Sequence, residues 1–146
     1  MINFTNITKA IETLIKEYDS DNDKEYHITR NKKQNMDDSI AVDGWVGIYR
    51  DSIDYSTHSS GANPWLAEPK LRLEIQSASM ESEEDCEEKL EVIVDHVLNA
   101  VQSDRTIGGT VLMVTALEID YDDNYSEQMQ TFYQFATLTI TTEVKA

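Results

Sequence analysis

Three aspartates at alternate positions, Asp19, Asp21 and Asp23 in "DSDNDKEYHITR", have the spacing that opens a calcium-binding loop. Such a loop needs glycine at its sixth position to turn sharply and a bidentate glutamate at its twelfth. Lys24 and Arg30 stand there instead, putting a cation where the closing ligand belongs. A solvated, helix-ending turn is expected. His27, His58 and His96 are the only histidines, and no two of them share a metal-binding spacing. His96, beside Asp95 and an apolar stripe, reads as a boundary residue. His58 lies next to Ser56, Ser59 and Ser60, the ingredients of a hydrolase, but no nucleophile elbow surrounds those serines.

The single thiol, Cys86, falls in the first turn of a helix, where the dipole lowers a thiol pKa. Neighbouring carboxylates oppose that effect, and the spacing puts Cys86 on the apolar stripe, so it is expected in the core. Gly108 and Gly109 lack the lysine and flanking glycines of a phosphate loop and predict a turn. No catalytic, cofactor-binding or metal-binding residue emerges, and the chain is expected not to be an enzyme. What remains is charge: 12 Lys and Arg against 28 Asp and Glu give −16 at pH 7. That field repels phosphate, which argues against tight nucleic-acid binding. It also suits a surface that DNA must pass without sticking. Two clusters of carboxylates stand out, one at 81–88 and one comprising Glu118, Asp120, Asp122, Asp123 and Glu127.

The elements that carry these residues follow from periodicity. Phe4, Ile7, Ile11, Leu14, Ile15 and Tyr18 recur at helical spacing, with Asn3 or Thr5 as cap. A short strand at "EYHITRN" and a polar stretch to Gly44 precede the strand "WVGIYR". Residues 51–69 then read as an extended arm, rich in Ser, Thr, Asp and Asn and too long for an idle connection. "KLRLEIQSA" alternates as a strand. Ser82 with Asp85 forms a capping box for a second helix, whose stripe is Cys86, Leu90, Ile93, Val94, Val97, Leu98 and Val101. "TVLMVTALEIDYD" is apolar on both faces and is expected centrally in the sheet. "DNYSEQM" reads as a hairpin loop before the last strand, "QTFYQFATLTITTEV".

The expected fold is therefore α+β, one domain over 1–146. It is a mostly antiparallel mixed sheet in the order α-β-β-β-α-β-β, with two helices on one face and a long loop between strands 2 and 3. Hydrophobic residues form 40% of the chain, enough for one core. The first residues mix Lys and Glu into every turn, so no secretory segment is expected. A lone cysteine fits a reducing cytoplasm, and no apolar run is long enough for a membrane span.

Taken together, "WVGIYRDSIDYS", "LRLEIQSASMESEEDCEEKLE" and "VQSDRTIGGTV" resemble the tail terminator (tail completion, minor tail) proteins of long-tailed, siphovirus-type bacteriophages. The resemblance spans nearly the whole chain in size, element order, arm, acidic second helix and Gly-Gly turn. It implies a structural virion protein at the head–tail junction, assembled in the host cytoplasm. It implies a hexameric ring that caps the tail tube, stops its polymerisation and offers a surface for head attachment. Its partners would be the major tail protein and a head-completion or connector protein, with no cofactor and no membrane. DNA would pass through without specific binding. On that reading Ile53, Tyr55, Trp65, Arg50 and Arg105 are candidate interface residues, and Asp120, Asp122, Asp123 and Glu127 candidate lumen residues. Arg50, Arg72 and Arg105 are scarce cations, for which local ion pairs are expected first and pairing across subunits is the alternative. The alternatives are another neck component, such as a head-closure ring or adaptor, or a small acidic binding module that mimics nucleic acid.

Overall fold

The computed structural model describes residues 2–22, 24, 26–30, 44–57, 65–122, 126–128 and 131–145. Helix α1 spans Phe4–Asp21, β1 His27–Arg30, β2 Trp45–Thr57, β3 Trp65–Ser79, α2 Glu83–Gln102, β4 Met113–Tyr121, β5 Ser126–Gln128 and β6 Thr131–Lys145. The fold is α+β, with one mixed sheet ordered β1-β2-β3-β6-β4 and β5 attached to β6. β1 pairs with β2 in parallel, and every other pairing is antiparallel.

Both helices start where side chains satisfy free backbone N–H groups. Asn3 accepts from the Asn6 amide at 3.2 Å, and Ser82 accepts from the Asp85 amide at 3.0 Å. The stripe Ile7, Ile11, Ile15 of α1 and the stripe Leu90, Ile93, Val94, Val97, Val101 of α2 lie on the same face of the sheet. They meet Val46, Ile48, Leu71, Leu73, Ile75, Ala136, Leu138 and Ile140, which alternate along β2, β3 and β6. Each fully buried Leu or Ile contributes about 1.5–3 kcal/mol over its exposed state, which makes this layer the chief source of stability.

Three expectations are corrected. β4 lies at the edge, because β6 occupies the place between β3 and β4. Most of the 51–69 arm is strand: β2 runs on to Thr57, β3 begins at Trp65, and the two stay paired from Trp45↔Gln76 to Thr57↔Trp65. Backbone pairing carries that extension, in which Ile53 and Tyr55 are the two apolar positions of residues 51–57, and residues 58–64 lie outside the described residues. The hairpin loop before β6 contains β5, three residues paired with the start of β6.

The α2–β4 joint is tightly turned. Gly108 and Gly109 have φ +62° and +77°, the conformation that favours glycine. Ile107, fully buried, is held at φ +47°, a costly geometry for a β-branched residue. Asp104 organises the turn, its carboxylate accepting from the amides of Thr106 and Gly108, both at 2.9 Å. Those bonds hold the Asp104 carboxyl below its usual pKa, Gly108 contributing most.

Candidate assembly interface

The helices cover one face of the sheet, and no described helix covers the other. On that second face β6 contributes Thr137, Thr139 and Thr141, β4 contributes Glu118 and Asp120, and β3 contributes Glu68, Lys70, Arg72 and Glu74. One row runs Tyr49–Arg72–Thr139–Glu118 across four strands. The two cations are already engaged: Lys70 lies 3.5 Å from Asp54, and Arg72 lies 3.6 Å from Asp51 and 3.3 Å from Glu74. The Arg72 guanidinium also sits 5.2 Å from the centre of the Tyr49 ring. Burial and the Glu74 charge push the Tyr49 hydroxyl pKa up. Glu68, Glu118 and Asp120 have no cation among the described residues, so the exposed part of this face is anionic.

The other end of the same face is closed. Trp45 lies over Gly47, where an added Cβ would come within 2.3 Å of the indole, and its Nε1 donates to Thr29 at 3.1 Å. Gln76 and Ala78 of β3 stand opposite Phe135 and Tyr133 of β6. Gln76 is 1% exposed, and neither end of its amide finds a partner among the described residues. A buried amide so placed costs about 1–3 kcal/mol.

Among the described residues both flanks of the sheet are unpaired beyond that point. β1 covers β2 only from Trp45 to Ile48, so from Tyr49 to Thr57 β2 pairs on one side alone among the described residues. β4 likewise pairs only with β6. Exposed apolar side chains gather along these flanks: Tyr55 at 56% on β2, and Leu112 at 50%, Met113 at 41% and Tyr121 at 52% on or beside β4. A groove of about 470 Å³ lies between the end of α2 and β4, lined by Val101, Gln102, Arg105 and residues 113–117. The apolar character of β4 that predicted a central strand is thus spent on an exposed edge.

Two buried polar groups belong to the covered side. Asp19 is turned inward from α1 and hydrogen-bonded to Nε2 of His96 on α2, both residues buried. The rings of Tyr18 and Tyr26 stand edge-on to His96 at 4.8 and 5.1 Å. Burial raises the Asp19 carboxyl pKa, with the His96 bond opposing it. The pair ties α1 to α2. His96 is therefore no boundary residue and Asp19 no solvated turn residue. Cys86 is buried as expected, its Sγ donating to the Phe132 carbonyl at 3.3 Å, and burial pushes its thiol pKa up. Among the described residues, no group of three or more His, Cys, Asp or Glu could hold a metal ion. No described helix is long and apolar enough to cross a membrane.

The remaining residues singled out from sequence divide by position. Arg50, Ile53 and Tyr55 line the open half of β2, whereas Arg105 lines the groove beside β4 on the opposite flank. Neither Arg50 nor Arg105 is ion-paired among the described residues, while Arg72 is paired within the chain. Trp65 opens β3, opposite Thr57, its side chain outside the described residues. Asp120 lies on the anionic face, Asp122 is exposed just past β4, Glu127 belongs to β5, and Asp123 lies outside the described residues. Glu118, grouped with these carboxylates from the sequence, lies on the same face as Asp120. Sequence reasoning missed the Asp19–His96 pair, for which no local signal exists.

Neither a scan against known protein families nor a search of curated proteins finds a match for this chain. Among solved structures it is similar to the sheath/tube terminator of an extracellular contractile injection system (PVC, extended state), with 12% identity and a TM-score of 0.47. The alignment covers 99% of this chain and 57% of that one, so the chain spans just over half that protein's length.

Proposed function

We propose that this protein is a tail terminator: six copies close a ring on the finished tail tube, end its growth and present a surface to the head. The observation that carries this reading is the anionic, helix-free sheet face flanked by two open strand edges. A sheet with open edges and exposed apolar side chains along them is an incomplete surface for a monomer. Head-to-tail association covers both flanks and closes when the rotation matches. Turned inward, Glu68, Glu118 and Asp120 line the hole with negative charge, which keeps phosphates from adhering as the genome passes. The helices then face outward. The resemblance in the arm, the acidic second helix and the Gly-Gly turn supports the same role, and the tube and a neck protein are the partners it calls for.

Native mass measurement and electron microscopy, with and without purified tail tubes, test the proposal. A hexameric ring on tube ends is expected. A chain that stays monomeric with tubes present overturns it, and capture of a basic DNA-binding protein by that monomer would favour the nucleic-acid mimic.

A further inference from the structure

The two open edges match each other. Following the register across the sheet, Tyr49 is level with Glu118, Arg50 with Leu117, and Ile53 with Val114. Each edge also carries an irregularity, and the two lie one residue apart in level, between Arg50 and Ser52 on β2 and between Val114 and Ala116 on β4. Three successive antiparallel pairings make β2 and β4 run in opposite directions. A rotation that places copies side by side therefore brings β4 of one copy antiparallel to β2 of the next, with no shift along the strands.

We infer that the ring closes by strand addition, the free edge of β4 in one copy pairing with Tyr49–Thr57 of β2 in its neighbour. This deepens, and rests on, the ring reading above. In the level register Ile53 meets Val114 on the helix side, and Tyr55 follows it toward the exposed Leu112. Apolar side chains thus cover apolar ones. Charge fits as well: Glu118 meets Tyr49, Asp54 meets Met113, and no carboxylate faces another, although the chain carries −16. Arg50, without an ion partner among the described residues, arrives on the side where Glu91 and Asp95 of α2 stand near Tyr121. Pairing two β4 edges with each other would leave the matching half of β2 open. The second copy is therefore the occupant that uses both edges at once.

Cysteine cross-linking tests this. Ile53→Cys and Val114→Cys in one chain, with the native Cys86 left buried, should on oxidation give a covalent ladder that ends at a closed ring. Each single variant should give none, and Thr13→Cys with Val114→Cys, placing one thiol on the exposed side of α1, should give none. Rings on tube ends without a ladder overturn strand addition while leaving the terminator reading intact. Dimers from Val114→Cys alone overturn it in favour of β4 pairing with itself. Absence of rings from wild-type protein on tubes overturns both.

Discussion

The two faces of the sheet use the same strands for opposite ends. Leu138 and Thr139 are neighbours on β6, yet Leu138 is fully enclosed by the helices while Thr139 shares a row with Arg72 and Glu118 on the helix-free face. One face completes the fold; no described helix covers the other. Alternation along a strand is enough to separate stability from assembly on one backbone.

The sharpest way to break that comparison is to truncate both neighbours. Leu138→Ala should cost about 3 kcal/mol, by lost burial and a residual cavity, whereas Thr139→Ala should change stability by less than about 0.5 kcal/mol. Denaturant unfolding reads both, and equal losses would erase the distinction. His96→Ala should cost about 3 kcal/mol, because it strands the Asp19 carboxyl in the interior. Asp19 also predicts a pH signature. A carboxyl with its folded pKa above its unfolded value favours folding below the unfolded pKa and loses that contribution as pH rises through the folded one. Asp19→Asn should therefore flatten a fall in stability just above the ordinary carboxylate range, seen in thermal melts across pH.

Gln76→Met asks whether the closed end of the helix-free face is tuned for folding. Removing an amide without partners should raise the stability of the isolated chain by about 1 kcal/mol; a loss of that size would mean the amide is satisfied in solution. The smallest effect is expected at the α2–β4 joint. Asp104→Ala should lose on the order of 0.5–1 kcal/mol at neutral pH, as at other exposed side-chain caps. Since its folded pKa is lowered, that difference should vanish as pH falls through the folded value.

Local signals were legible where local physics decides. The capping serine of α2, the burial of Cys86, the positive φ of Gly108 and Gly109 and the α-β-β-β-α-β-β order follow from spacing and caps a few residues apart. The position of β4 was misread for an instructive reason. Apolar residues along a strand report that it avoids water, and they do not fix its place in the sheet; here Val114, Leu117 and Ile119 pack on the helix side while Glu118 and Asp120 face away. The length of β2 and β3 was hidden because Ile53 and Tyr55 are only two apolar positions among Asp51, Ser52, Asp54, Ser56 and Thr57, a composition that reads as a loop. The bond between Asp19 and His96 joins residues 77 positions apart, beyond any window of periodicity.

Ile107 ties these two sides of the molecule together. A branched side chain does not hold a left-handed backbone unaided; here the surrounding interior must keep it there, and the same turn leads into β4. Damage to the interior should then release the turn and disturb the start of β4. Variants of the residues packed around Ile107 should therefore lose stability and order at the edge strand together, a coupling set by one dihedral angle.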